Sequence, residues 1–402
     1  MKRRVTVVGG GASGLAAAIA AAENGAAVTL LERNPRVGKK ILLTGNGRCN
    51  LGHAGFEAER YHGTLPQAAE ILQKFRADAY FSRMGLYIRE DSDGRLYPMS
   101  NAASAVLDAL RMTAERCGVQ TVCGTRVTGL AQTGRGYRVL AGAQSFDADA
   151  VVLAAGGSAA PNCGTDGNLL PVLRKMGYDI TEPKPALCPV PTDPQRVRAL
   201  KGIRVRAAVS AVGSRGVMKT ETGELQFTEQ ALSGICVFNL SRLAAMHGKE
   251  LRLSVDLLPD FTEAQAAQML DDLLSVRGGM PCGELLTGVL PKRIGEQLCK
   301  QMFGSANVQA DAALRDAAQK RRLLHLLRHW EFPVAGQAAF SQAQVTAGGV
   351  HGRCVRNTLE SKLHKGLWFC GELLDLDGDC GGYNLSWAWS SGQTAGRNAA
   401  KA

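Results

Sequence analysis

The sequence predicts an α/β protein built on a parallel sheet, with the sheet-forming unit interrupted by an inserted segment. Three observations carry this. Residues 1–35 run as strand, glycine-rich loop, Ala-rich helix and strand. A second buried strand, Ala150-Val151-Val152-Leu153, runs into the turn Ala154-Ala155-Gly156-Gly157. Between it and a glycine-rich C-terminal stretch, Pro183, Pro185, Pro189, Pro191 and Pro194 crowd together and break regular structure.

At 402 residues the chain is longer than one core usually accommodates, so more than one domain is expected. Val5-Thr6-Val7-Val8 is a short apolar strand, the helix spans about Ala12 to Asn24 with Gly25 as its C-cap, and Val28 to Glu32 is the next strand. A right-handed crossover makes those strands parallel. Residues 66–84 and 101–117 read as helices, the second with Val106, Leu107, Leu110 and Ala114 at helical spacing. Short strands fill 120–149, and 166–177 is a short helix. Beyond the prolines, 200–256 alternates in strand fashion, while 262–330 is largely helical through Leu270, Leu273, Leu274, Leu285, Leu286 and Leu290. The expected division is residues 1–185 with 341–402, and an insertion at 186–340 that is β-rich to 260 and mainly helical from 261.

Apolar residues make up 45%, and no run of them is long enough to span a bilayer. Met1-Lys2-Arg3-Arg4 resembles the opening of a leader, but the apolar stretch stops at Gly9-Gly10-Gly11, so a buried strand and a cytoplasmic location are expected. The eleven cysteines include no Cys-x-x-Cys pair, which argues against iron–sulfur, zinc and dithiol sites. No metal is expected.

Gly9-x-Gly11-x-x-Gly14 follows a strand and opens a helix, with Ala12 and Ser13 inside the motif. The first glycine makes the turn, the second admits a pyrophosphate, and the third lets helix and strand pack closely. Glu32, at the end of the second strand, can accept both hydroxyls of a ribose. An ordinary tight turn does not need that acid, so a dinucleotide is expected. The polar, glycine-rich run Arg33 to Asn50 suits a large planar ligand.

That run, from Gly38 to Asn50, resembles the BaiN/YhiN flavoprotein family. So do Gly94-Arg95-Leu96-Tyr97-Pro98, Gly223 to Thr228, Leu232-Ser233-Gly234 and Val255 to Pro259. The C-terminal resemblance is the most specific, through Ala343 to Val350, Phe369-Cys370-Gly371-Glu372, Asp375, Asp377 to Asn384 and Trp387 to Gly392. It implies FAD on a glutathione-reductase-like Rossmann domain with an inserted β-barrel plus helical domain. By the same resemblance, Gly9, Gly11, Ala12, Ser13 and Gly14 face the pyrophosphate and Glu32 the adenosine ribose. Arg33, Lys39 and Lys40 would also contact the cofactor. Gly45, Asn46, Gly47, Arg48, Cys49 and Asn50 would lie along the isoalloxazine. Val127 would touch adenine through its backbone, beside Ala154, Ala155 and Gly156. Gly371 and Glu372 would meet the ribityl–pyrophosphate region. Gly382, Tyr383, Asn384 and Leu385 would meet the flavin pyrimidine edge, where a helix N-terminus stabilises charge on a reduced flavin. The sequence departs from the family's Ala-Thr-Gly-Gly at Ala154-Ala155-Gly156-Gly157, and from its Thr-His-Tyr-Gly at Thr228-Glu229-Gln230-Ala231.

Arg48 and Thr346 are candidates for the substrate side, with Arg95 and Tyr97 as weaker ones. Cys49 is either a redox thiol or a small packing residue, and packing is favoured because no partner cysteine is near in sequence. No second G-x-G-x-x-G follows a strand, so the reductant would visit the flavin face directly, NAD(P)H as a transient one, or come from another protein.

The net charge is +11, and residues 184–219 hold eight Lys or Arg against one acid, Asp193. Arg196, Arg198, Lys201, Arg204 and Arg206 could meet RNA phosphates, or simply form the solvated face of a basic protein. Members of the resembled family are linked to forming dihydrouridine in ribosomal RNA, to reducing a bile-acid C=C bond and to oxidising aminoacetone. The expected activity is hydride delivery from reduced flavin N5 to a C=C bond, with an RNA uracil slightly ahead of a small molecule. The alternatives are a small-molecule flavin reductase or oxidase acting on a steroid-like enone or an amine, and a flavin-carrying RNA-binding factor.

Overall fold

The computed structural model describes residues 1–401. The chain forms two compact units, Met1–Lys184 with Ala343–Ala402, and Pro185–Gln342.

In the first unit, five strands make a parallel sheet: β1 (Arg4–Val8), β2 (Ala27–Leu31), β3 (Gln120–Val122), β4 (Ala150–Leu153) and β5 (Leu367–Phe369). Their order is β5-β4-β1-β2-β3, with every neighbouring pair parallel. β4 is buried along its whole length, as a continuous apolar run in a doubly covered sheet must be. Because β4 and β2 flank β1 on opposite sides, chain connections diverge at the C-terminal ends of β1 and β4. In open parallel sheets that divergence opens the ligand crevice.

Helix α1 (Ala12–Glu23) packs against α2 (Tyr383–Lys401), the last helix. Small residues make the close approach possible. Ala16, Ala17, Ala18, Ala20 and Ala21 are buried on α1, and a Cβ on Gly396 of α2 would collide with the Ala17 carbonyl. The C-terminal segment therefore completes both the edge of the sheet and the cover of the first helix.

Three details differ from the sequence reading. Residues 66–84 form two short helices, Ala68–Gln73 and Ala77–Ser82, because Arg76 is extended (φ −118°, ψ 101°). The helix expected at 166–177 is confined to Leu170–Lys175, since Gly167 adopts φ +67° before it. The strand-like stretch 200–256 contains a helix, Ile235–His247, with Val237, Leu240, Ala244 and Ala245 buried at helical spacing.

The second unit carries a six-stranded antiparallel sheet dominated by the long hairpin Arg204–Gly213 and Gly216–Phe227. Its two edge strands meet through the Thr192–Val334 bridge and the Ala335 N–H donating to the Pro191 carbonyl at 2.9 Å, which closes the sheet into a barrel. Helices Glu263–Arg277, Lys292–Phe303 and Ala317–Arg328 follow, sharing an apolar core with the barrel.

Candidate functional site

The glycine loop lies where β1 ends. Gly9 has φ +106°, and a Cβ there would collide with the Ala154 carbonyl at the end of β4. A Cβ on Gly14 would collide with the Gly9 carbonyl. Gly11 is different: a Cβ on it would meet nothing within 4 Å. Two glycines thus pack the turn, while the middle one leaves space open above it.

Gly11 is the N-cap of α1, whose first turn carries no acidic side chain. The first intrahelical bond is from the Leu15 N–H to the Gly11 carbonyl at 2.9 Å. The N–H groups of Ala12, Ser13 and Gly14 precede it, beside the positive end of the helix dipole. This arrangement suits a pyrophosphate.

Glu32 is buried, with 6% of its surface exposed. Its Oε2 accepts the Gly10 N–H at 2.7 Å. Its Oε1 accepts the Asn34 N–H and the Asn34 side-chain amide, both at 2.7 Å. The carboxylate therefore ties the end of β2 to the glycine loop. A carboxylate has about four lone-pair directions, so one remains for a ribose hydroxyl.

The segment after Glu32 is anchored at several points. Arg33 pairs with Asp166 at 2.6 Å, and Lys39 Nζ donates to the Asn162 carbonyl at 2.5 Å. Lys40 pairs with Glu372 at 2.8 Å. The Glu372 Oε1 also accepts the Thr346 N–H at 3.0 Å. Among the sequence candidates, Arg33 and Lys39 are thus committed to protein partners. Of the Val127 backbone, expected to touch adenine, the carbonyl accepts the Asn168 amide at 3.0 Å. Ala154 and Ala155 lie against Gly9, and Gly156 follows them at φ +75°.

The loop 45–50 turns tightly, with Gly45, Asn46, Gly47 and Cys49 all at positive φ. Arg48 is exposed at its rim and lies over the Tyr97 ring, 5.0 Å from the centroid. Cys49 has no exposed surface, and burial pushes its thiol up to about 11. A sealed, neutral thiol is a poor nucleophile. Thr346, expected on the substrate side, is also buried, and its hydroxyl accepts the N–H groups of Ser158 and Ala159 at 2.8 and 2.9 Å. Its position is set by bracing the loop after β4, a task its sequence neighbours did not signal.

The C-terminal half meets this loop at α2. Gly382 has φ +100°, and a Cβ on it would crowd Gly52 and lie 2.7 Å from Asn50 Oδ1. That Oδ1 is buried and has no hydrogen-bond partner. An orphaned buried acceptor is costly, and a ligand N–H would satisfy it. The Tyr383, Asn384 and Leu385 N–H groups precede the first helical bond, from Ser386 to Gly382 at 2.9 Å. The Asn384 side chain is itself committed, bonding both the N–H and the carbonyl of Gly378. The Tyr383 hydroxyl donates to Glu57 at 3.2 Å, and burial raises it to about 12. Gly371 has φ +67°, and a Cβ there would strike Ser13. Its N–H donates to Ser391 at 3.0 Å, and the Trp389 indole N–H, donating to the Leu51 carbonyl at 2.9 Å, ties this C-terminal half to the loop 45–50 side. The open cradle at Gly11 and the free acceptor at Asn50 both fit FAD.

The family model described as "HI0933-like protein Rossmann domain" matches residues 3–398. The chain belongs to this family. HI0933-like relatives include a 3-dehydro-bile acid delta(4,6)-reductase of Clostridium scindens, 38% identical over 99% of both chains. A ribosomal RNA dihydrouridine synthase of Escherichia coli is 26% identical, covering 96% of this chain and 95% of its own. Among solved structures, a 3-ketosteroid delta1-dehydrogenase of Sterolibacterium denitrificans aligns over 99% of both chains at 14% identity with a TM-score of 0.50, a likeness of fold. This HI0933-like chain is an FAD-dependent oxidoreductase. Among the described residues, no helix is long and apolar enough to cross a membrane.

The basic stretch of the second unit looks different once folded. Arg204 pairs with Glu224 at 2.8 Å, Arg206 with Asp260 at 2.8 Å and Lys201 with Glu229 at 2.9 Å. Arg196 donates to the Glu331 carbonyl at 2.7 Å. The acids lie outside the basic stretch of sequence and come from facing strands and turns. The imbalance counted along residues 184–219 is therefore partly offset in three dimensions.

Proposed function

We propose that this chain reduces a carbon–carbon double bond conjugated to a carbonyl in a small apolar substrate. One observation supports the choice of a small molecule over RNA: three of the five basic residues expected to meet phosphates, Lys201, Arg204 and Arg206, are already paired with acids. The full-length likeness to a bile acid reductase supports the same choice.

In this reading Gly11 and the first N–H groups of α1 hold the pyrophosphate, and Glu32 holds a ribose hydroxyl. Asn50 Oδ1 and the N-terminus of α2 hold the flavin edge. Bound there, reduced FAD supplies the hydride equivalent that the double bond accepts. The positive end of α2 favours the anionic reduced state of the ring. Arg48, exposed at the rim, faces the substrate, whereas Cys49 and Thr346 pack and brace. The reductant is a nicotinamide that visits transiently.

The test is anaerobic. The purified protein should release FAD on denaturation, and NADH or NADPH should bleach the bound flavin. Adding a 3-oxo-Δ4,6 steroid should restore the oxidised spectrum and yield a product two mass units heavier. A flavin that stays reduced with the steroid, but is reoxidised by a uridine-containing ribosomal RNA fragment, would overturn the reading in favour of RNA.

A further inference from the structure

The spacing of the cysteines along the chain hides one pair that the fold brings together. Cys282 and Cys299 stand 17 positions apart, and neither has exposed surface. The Cys299 thiol donates to the Cys282 sulfur at 2.7 Å. Cys282 opens the short helix Cys282–Leu285, and Cys299 lies on Lys292–Phe303. Glycines let these two helices meet. A Cβ on Gly295, one turn before Cys299, would lie 2.8 Å from the Gly283 carbonyl oxygen. A Cβ on Gly283 would lie 3.2 Å from the Glu296 Cα. The first helix is also tied down elsewhere. The Cys282 N–H donates to the Val308 carbonyl at 2.7 Å and the Gly283 N–H to the Ala306 carbonyl at 2.9 Å. Backbone packing therefore holds the two sulfurs together, inside the apolar core of the second unit.

Two other buried thiols take carbonyl partners instead. Cys236, in the same unit, donates to the Glu224 carbonyl at 3.4 Å, and Cys370, in the first unit, to the Leu153 carbonyl at 3.9 Å. Cys282 and Cys299 have each other. The hydrogen bond received from Cys299 pulls the Cys282 thiol below its ordinary range, and the same bond holds the proton on Cys299. One sulfur is thus the readier nucleophile, and the other stands beside it to resolve the product.

We propose that Cys282 and Cys299 form a dithiol modification site, which a peroxide converts to an internal disulfide joining Cys282–Leu285 to Lys292–Phe303. The Cys282 thiolate attacks one oxygen of hydrogen peroxide. The O–O bond breaks, and the departing hydroxide takes up the proton that Cys282 gave away. Cys282 becomes a sulfenic acid and one water leaves. The Cys299 sulfur then attacks the Cys282 sulfur and the S–S bond forms. The sulfenic hydroxyl departs with the Cys299 proton as a second water. Two thiols are oxidised and one peroxide is reduced to two waters. Closing this short loop removes freedom from the unfolded chain, so the oxidised protein is the more stable form.

The test treats the full-length protein, as purified, with hydrogen peroxide under native conditions, and then alkylates the remaining thiols in denaturant. Peptide mass spectrometry without reduction should find Cys282 joined to Cys299, two hydrogens lighter than the separate peptides. Dithiothreitol should restore both thiols. Thermal unfolding followed by circular dichroism should move up by about 5 °C on oxidation and return on reduction. Cys282→Ala and Cys299→Ala should each abolish the cross-link and the shift. Should either variant fail to fold, the peptide map and the reversible shift of the unsubstituted protein decide. Absence of the Cys282–Cys299 cross-link at a peroxide exposure that oxidises the exposed Cys123 would overturn the site. So would accumulation of a sulfinic acid at Cys282, because Cys299 would then have failed to resolve the sulfenic acid.

Discussion

Lys40 and Glu372 lie 332 positions apart in the chain, yet their side chains meet at 2.8 Å. The pair joins the loop after β2 to the segment after β5, and both side chains are largely shielded from water. Removing one partner leaves the other charge partly buried and unpaired. Lys40→Met should weaken FAD binding about tenfold, measured by fluorescence quenching on reconstituting the stripped protein. Glu372→Gln should act in the same direction and also loosen Thr346, whose N–H it accepts.

The three glycines of the loop separate folding from binding. A Cβ on Gly14 has no room, whereas one on Gly11 meets nothing within 4 Å, at an ordinary negative φ of −80°. Gly11→Ala should fold with a Tm close to the parent and lose most of its FAD. Gly14→Ala should lose the fold, with a stability loss on the order of 3 kcal/mol or more. Thermal denaturation and flavin content, measured on the same samples, separate the two outcomes.

Glu32 accepts three N–H bonds from two residues. Glu32→Gln turns one oxygen into a donor that must face an N–H of Gly10 or Asn34. Each mismatched buried bond costs about 1–3 kcal/mol. FAD affinity should therefore fall at least tenfold, as isothermal titration of FAD into the stripped protein would report.

Cys49 is held neutral well past physiological pH, because burial raises its thiol to about 11. A raised thiol pKa lowers the thiolate fraction at any given pH below it. In the native protein at pH 8, iodoacetamide should label the exposed Cys123 while Cys49 remains unmodified, as peptide mass spectrometry would show. Rapid labelling of Cys49 would restore it as a redox candidate.

The paired basic strand makes a prediction about RNA. Each phosphate contact would add about 0.9 to the slope of log affinity against log salt. Arg204→Ser with Arg206→Ser should leave that slope for a ribosomal RNA fragment unchanged within error, because both arginines answer acids of their own chain. Exposed pairs of this kind contribute at most about 1 kcal/mol each, so the variant should fold normally.

What could be read along the chain was local. Gly9, Gly11, Gly14 and Glu32 follow one another within a single strand–helix–strand unit, where each residue's conformational demand is fixed by its near neighbours. The helix Ile235–His247 was hidden in a strand-like stretch because its apolar residues are dense enough to satisfy either period. The partners of Arg204 and Arg206 were hidden because strand pairing and a distant turn, not sequence proximity, bring Glu224 and Asp260 to them. The same holds for Thr346, whose hydroxyl is used by residues 187 and 188 positions away. Asn50 is legible in the sequence as a flavin-side residue, but that its Oδ1 stands buried without a partner follows only from the packing of α2.

The sheet of the first unit gains β5 and the cover of α1 only from residues beyond 366. During synthesis, β1 to β4 leave the ribosome first, then the whole second unit, and only afterwards the strand and helix that finish the cradle. At about 5–20 residues per second, the interval is on the order of ten seconds or more. A nascent chain is therefore without a flavin site for that time, its glycine loop formed but its far wall missing. If FAD binds in the proposed cradle, its capture waits for the docking of α2 rather than for the appearance of the glycine motif.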